Sequence, residues 1–286
     1  MLMRKVIDIH VHMQQLEMMK PACFELIRSK QRDFDQILEL TRNPRKFVEL
    51  LDREGIERAG LINYVAPVVM GFTDEVNRWA AAYAREFPER LIPFGSVDPT
   101  TVADPAAAMD KILGPLKLRA LKLHPPHQLF FPNQYRDGLR SLEIIYRKAE
   151  EARLPVMIHT GTSVFQGARN QYADPIFVDD VAVDFPQLPL IIAHGGRPLW
   201  TPTAAFLIRR HANVYMDISS IPPQSLLQYF PRLEELSDKV LWGSDWPGPG
   251  VPGMKANLER FCQLPLSEAA QSRILYENAA RLFRLG

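Results

Sequence analysis

Cysteine is scarce in this chain: Cys23 and Cys262 are the only two in 286 residues. They are too few for a disulfide framework and are not spaced as a zinc clip, so a reducing compartment, the cytoplasm, is the expected location. Long apolar runs are missing as well. No stretch approaches the roughly 20 residues of a membrane span, and the N-terminal residues lack the apolar core and cleavage site of a signal peptide. A soluble chain with no membrane partner is expected. An excess of either charge is also absent, with 34 Lys and Arg against 33 Asp and Glu. No basic run could neutralise several phosphates at once, which argues against nucleic acid as a partner.

What is present is core material, 47% hydrophobic residues beside 23% charged. These are globular proportions. Short β-branched and apolar runs alternate with longer stretches of helical spacing, the pattern of a parallel sheet with crossover helices. Eight strands are predicted, at 5–9, 58–62, 91–97, 120–123, 155–158, 190–193, 214–216 and 240–242. Helices are predicted at 44–53, 74–87, 105–113, 138–152, 175–184, 201–211, 224–233 and 267–283, with Asp74 and Ser267 placed as N-caps. Eight βα units over 1–286 make a single α/β domain, a (β/α)8 barrel. The irregularity is 13–43, a polar, Met-rich insertion after the first strand. It reads as a long, partly helical βα loop at the catalytic rim, where it could cover the site, meet a partner subunit in a homo-oligomer, or be a surface excursion without a role.

The chemical residues gather at one end of these strands. His10 and His12 stand two apart at the end of the first strand, so both imidazoles can face one ion. An HxH alone is weak evidence of a metal. His159, His194 and Asp245, however, close the predicted strands five, six and eight, and parallel strands bring their C-terminal ends to one face. Core histidines have no reason to favour that end, so this set points to a divalent metal.

The local sequences are Asp8-Ile9-His10-Val11-His12, Lys122-Leu123-His124-Pro125, His159-Thr160-Gly161, Ala193-His194-Gly195-Gly196 and Gly243-Ser244-Asp245-Trp246-Pro247. Together, and in this order over essentially the whole chain, they resemble the amidohydrolase superfamily. The resemblance is to the amidohydrolase-2 branch, which holds aminocarboxymuconate-semialdehyde decarboxylase, resorcylate-type decarboxylases and several lactonases. It implies that His10, His12, His159 and Asp245 ligate one ion, zinc by donor type with manganese as the alternative, and that His194 sits beside the reacting water or substrate. Asp245 could then also accept a proton, and His194 could serve as acid or base.

Other residues carry two readings each. Lys122 occupies the place of a carboxylated, metal-bridging lysine in some superfamily members; here it reads as a cation facing substrate, or as half of a structural ion pair. Arg197 could clamp a substrate carboxylate or fix its loop by a salt bridge. Trp246, Trp200, Phe165 and Tyr64 could wall a pocket or simply pack. His124 could face the cavity or lie idle at the rim, and His127 and His211 read as ordinary surface or packing residues.

Four functions remain to be weighed. Hydrolysis of a small, carboxylate-bearing lactone, ester or amide by activated water is the leading one, and the chain's length favours it. Non-oxidative decarboxylation of an aromatic or unsaturated acid could use the same ligands. A phosphoesterase would call for a carboxylate at strand three, where this chain has Phe94-Gly95-Ser96-Val97. A non-catalytic scaffold would have no need for five competent residues at one rim.

Overall fold

A computed structural model describes residues 5–285; the outermost positions of the expected 1–286 barrel lie outside the described residues. Eight parallel strands run in chain order around one sheet: β1 (Ile7–Val11), β2 (Arg58–Leu61), β3 (Leu91–Gly95), β4 (Ala120–Leu123), β5 (Val156–His159), β6 (Leu190–Ala193), β7 (Val214–Asp217) and β8 (Val240–Leu241). The circle closes where Ile9 N donates to Trp242 O at 3.2 Å, Asp245 N to His10 O at 2.9 Å and His12 N to Trp246 O at 2.8 Å. Closure therefore places the His-x-His segment directly against the segment that carries Asp245.

The alternation of side chains explains why the strands are apolar on both faces. In β4 to β6, Leu121, Leu123, Val156, Ile158, Leu190 and Ile192 join the large core shared with the surrounding helices. Ala120, Met157, Ile191 and Ala193 belong to a second cluster with Ile7, Ile9 and Leu241. Lys122 and His159 share the parity of this second set, so both project from the barrel's inner face. Pairing between β1 and β2 slips between Asp8 and Val11.

Predicted elements and observed ones differ in instructive places. Ser267 caps its helix by accepting from Ala270 N at 3.1 Å. Asp74 makes no such bond, because its backbone is already helical (φ −65°, ψ −12°) and its carboxylate cannot reach back to the first-turn N–H groups. The helix predicted at 224–233 is two short ones, Leu226–Tyr229 and Leu233–Leu236. Pro231 lacks a donor and holds Phe230 out of the helical region (φ −128°, ψ 75°). The C-terminal helix contains a π segment, Arg273–Glu277, whose Ile274 O accepts from Trp242 N at 3.0 Å. The widened turn thus meets the end of β8.

The insertion at 13–43 is largely helical, with Pro21–Lys30 and Phe34–Arg42. It is anchored on the barrel: Leu16, Met19, Cys23, Ile27, Phe34, Ile37 and Leu40 are buried, and Gln31 Nε2 donates to Pro247 O at 2.7 Å and Gly248 O at 3.0 Å. No helix among the described residues is long and apolar enough to cross a membrane.

Candidate active site

Two of the chemical residues stand on unusual backbone. His194 (φ 60°) and Asp245 (φ 68°) both adopt the left-handed conformation that non-glycine residues rarely take, at the turns leaving β6 and β8. Each turn swings its side chain over the barrel mouth, and neighbouring glycines make this workable. Gly161, at φ 81°, lies so close to the Arg197 backbone that a Cβ would strike Arg197 O and N. Thr160 locks the same joint, donating to Ala193 O at 2.7 Å and accepting from Gly196 N at 3.0 Å. The His-Thr-Gly and His-Gly-Gly sequences are thus two halves of one contact between the β5 and β6 loops.

At the mouth, His12 Nε2 lies 3.1 Å from Asp245 Oδ1 and His10 Nε2 lies 3.4 Å from the same oxygen. The His194 ring sits between His10 and His159, with centroid separations of 4.6 and 4.7 Å. His10 Nε2 and His159 Nε2 are buried and have no hydrogen-bond partner. Leaving such atoms unsatisfied costs about 1–3 kcal/mol each, so a site built this way calls for an electron-pair acceptor. Three imidazoles and one carboxylate fit a divalent ion, and His10, His12 and Asp245 already lie within ligand reach of one another.

A second group, His10, His194 and Asp217, is equally compact, but its carboxylate is engaged. Asp217 Oδ1 accepts from Ser219 N at 2.7 Å, and Oδ2 accepts from Ser219 Oγ at 2.9 Å and faces His10 Nδ1 in a very short contact. With Nδ1 of His10 held there, Nε2 is the atom free to ligate. The His10, His12 and Asp245 group is therefore the better ion site; His159, expected as its fourth ligand, belongs to neither group, and its ring lies 4.7 Å from that of His194.

Electrostatics follow from burial. Burial of His10, His159 and His194 holds each imidazole well below its ordinary pKa, helped by the Lys122 and Arg197 cations. They are neutral, the state in which imidazole donates a lone pair. Burial opposes ionisation of Asp245, but the hydrogen bond and charge from His12, with His10 and Arg197, outweigh it and hold the carboxyl well below its usual range. Asp8 is pushed up to about 7 by burial, against hydrogen bonds from Ser244 and the His10 backbone.

A cavity of about 280 Å³ opens over this cluster, lined among others by His12, His159, His194, Arg197 and Asp245. Tyr64 and Phe165 wall it, whereas Trp246 and Trp200 do not line it. Trp246 is half-buried and packs against both core clusters. Lys122 is wholly buried with Nζ 3.5 Å from Met157 Sδ, and it too stays out of the cavity lining. The cation expected to face substrate is thus enclosed within the barrel. Burial lowers its pKa, partly offset by Asp217 and Asp245. Arg197 does line the cavity; its terminal nitrogens donate to Thr162 O at 2.9 Å and Ser220 Oγ at 2.8 Å, and its Nε is buried without a partner.

Sequence reasoning missed Asp217, Ser219 and His127. Asp217 closes β7 just as His159 closes β5, which was a usable signal, whereas nothing near His127 announced it. His127 is buried in the cavity wall, its Nδ1 3.2 Å from Tyr64 Oη and its Nε2 2.7 Å from Ser163 Oγ. It stacks on His124 at 3.6 Å, which stacks on His159 at 3.8 Å. His211 remains outside the site, paired with Asp179 at 2.6 Å.

The chain matches the Amidohydro_2 family (amidohydrolase) over residues 7–285, and it belongs to that family. No curated protein matches it by sequence. Similar solved structures include an uncharacterised TIM-barrel protein from Bordetella bronchiseptica, at 24% identity over 98% of this chain and 99% of that one, with a TM-score of 0.78. A 2,6-dihydroxybenzoate decarboxylase from Rhizobium is 18% identical over 99% of both chains, with a TM-score of 0.70. A probable 2-pyrone-4,6-dicarboxylic acid hydrolase from Acinetobacter baumannii, with citric acid bound, is 17% identical over 98% and 99%, with a TM-score of 0.67. At these identities the likeness is one of fold.

Proposed function

We propose that this protein is a metal-dependent hydrolase of small, carboxylate-bearing lactones, esters or amides. The observation that carries the reading is His10 Nε2, buried without a hydrogen-bond partner, with His12 and Asp245 within ligand reach of it. His10, His12, His159 and Asp245 would hold one divalent ion, zinc by donor set, with manganese the alternative. When bound, such an ion lowers the pKa of water toward neutrality and polarises a substrate carbonyl.

The chain's own groups supply the rest. Asp245, ionised at neutral pH, can take a proton from the attacking water, and His194 can move a proton at the leaving group. Arg197 has no carboxylate partner among the described residues, and its unpartnered Nε suits a substrate carboxylate. The 280 Å³ cavity admits only a small molecule.

The test is a metal assay of protein purified without added metal, followed by a screen of small lactones, esters, amides and unsaturated or aromatic acids in ¹⁸O-labelled water. A stoichiometric ion and label in the product support the reading. Carbon dioxide release without label would replace it with decarboxylation, and an ion-free, inert protein would replace it with a binding or scaffold role.

A further inference from the structure

His10 and His194, assigned above to metal binding and to proton transfer, are joined by two residues that neither role requires. Asp217 closes β7 and Ser219 follows it by two positions, both wholly buried. We infer that Asp217 and Ser219 form one positioning pair that sets the tautomer of both histidines, and so presents His194 Nε2 as a lone pair to the cavity.

His194 Nδ1 has two neighbours, Ser219 O at 3.3 Å and Ser219 Oγ at 2.8 Å. A carbonyl oxygen only accepts, which favours hydrogen on Nδ1, but at 3.3 Å that contact is the weaker of the two, and the 2.8 Å contact to the hydroxyl decides the tautomer. The Ser219 hydroxyl has its own acceptor in Asp217 Oδ2 at 2.9 Å, which leaves its lone pairs to receive His194 Nδ1–H. Asp217 Oδ2 also faces His10 Nδ1, and Oδ1 is filled by Ser219 N at 2.7 Å. The chain of donation runs from His194 through Ser219 to Asp217, and from His10 to Asp217 by the opposite side. Both rings then carry hydrogen on Nδ1 and a lone pair on Nε2.

The backbone holds this arrangement in register. Ser219 N binds Asp217 Oδ1, which ties the turn to the end of its own strand. Gly243 packs here too, since a Cβ would meet His10 Cβ, Asp217 Oδ1 at 3.1 Å and Ser219 Cβ at 3.2 Å. A side chain at that position would push β8 against the pair. The glycine of the Gly-Ser-Asp-Trp-Pro motif thus leaves room for Asp217 and Ser219. Asp217 and Ser219 touch neither the cavity nor any substrate in it, so they are positioning residues.

This inference rests on the proposed roles of His10 and His194, but its test does not depend on turnover. The seven histidines are labelled with ¹⁵N in the full-length protein, and ring tautomers are read by long-range ¹H–¹⁵N correlation on the zinc-loaded chain and again after chelation. His194 is expected as the single Nδ1–H tautomer in both. Ser219→Ala should mix its tautomers while leaving zinc affinity within about threefold, and Ser219→Thr, which keeps the hydroxyl, should restore the wild-type spectrum. Asp217→Asn should weaken zinc binding roughly ten- to a hundredfold in competition with a chromophoric chelator, with circular dichroism confirming a folded barrel. An Nε2–H tautomer in the wild type, an unmoved tautomer in Ser219→Ala, or wild-type zinc affinity in Asp217→Asn would overturn the inference. A wild-type protein that binds no zinc would instead defeat the metal reading, while the chelated spectrum would still report the pair.

Discussion

His127 makes a quantitative test of how the cavity wall is built. It is buried among Tyr64, Ser163 and His124, and burial, with the Lys122 and His12 charges adding, brings its pKa from 6.5 down to about 3. In the unfolded chain the same imidazole titrates near 6.5. Between the two values the unfolded state binds a proton that the folded state refuses, so stability is full above 6.5 and falls as the pH drops toward 3. By pH 5 the loss amounts to about 2 kcal/mol from this one residue. His127→Gln removes the titration and also the hydrogen bonds to Tyr64 and Ser163, worth about 1–2 kcal/mol together. The variant should therefore be the less stable protein at pH 8, with the gap closing by about 2 kcal/mol at pH 5. Urea unfolding of both chelated proteins at the two pH values measures this. Chelation keeps metal release at low pH out of the comparison. Parallel stability curves for wild type and variant would show that His127 is not held neutral by its surroundings.

Three further outcomes are expected. His10→Ala and His12→Ala should each lose most bound metal and nearly all activity while keeping the barrel's circular dichroism; full occupancy in both by elemental analysis would refute the ion site. Arg197→Met should lower kcat/KM about ten- to a hundredfold on a carboxylate substrate, from roughly 1.5–3 kcal/mol for a charge-assisted hydrogen bond, and much less on its neutral ester. Equal losses on both would mean that Arg197 only braces Thr162 and Ser220. Gly161→Ala should displace the Arg197 backbone, costing about 1–3 kcal/mol in chemical denaturation and depressing kcat/KM with Arg197 itself intact; an unchanged protein would show that this contact does not fix the loop.

The barrel was legible because its signal is repeated eight times: short apolar runs, helical spacing between them, and polar residues of catalytic type at strand ends. His10 and His159 could be placed without coordinates from strand parity, and His12, His194 and Asp245 from following strand ends that share one C-terminal face. Lys122 and Trp246 were harder, since neither an inward-facing position on a strand nor one in the turn after it says whether a side chain reaches the cavity or stays in the core. Lys122 turns inward with the parity of Ala120, and Trp246 packs against both core clusters. His127 was hidden for a different reason. It lies on the four-residue helix Pro125–Gln128, and only tertiary packing brings that segment beside Tyr64 and Ser163. The break at Pro231 was readable locally, whereas the π segment at Arg273–Glu277 answers to Trp242 on β8, a demand no local pattern contains.

The division of labour between strands and loops follows from the same geometry. Residues at the ends of β1, β5 and β7, and at the turns after β6 and β8, supply the nitrogens and carboxylates that meet over the barrel, and backbone hydrogen bonds across the closure hold them in register. Little in that cluster can discriminate between substrates, because any small carbonyl compound could approach it. Discrimination falls to what surrounds it: Leu16, Met19 and Ile27 from the helical insertion, Val164 and Phe165 after β5, and Pro247 to Pro249 after β8. Gln31 ties the insertion to Pro247 and Gly248, so two of these walls are joined by hydrogen bonds. These apolar side chains line the same cavity as Arg197 and the histidines. On a barrel of this kind substrate choice can change through the loops alone, because they and not the strands surround the mouth.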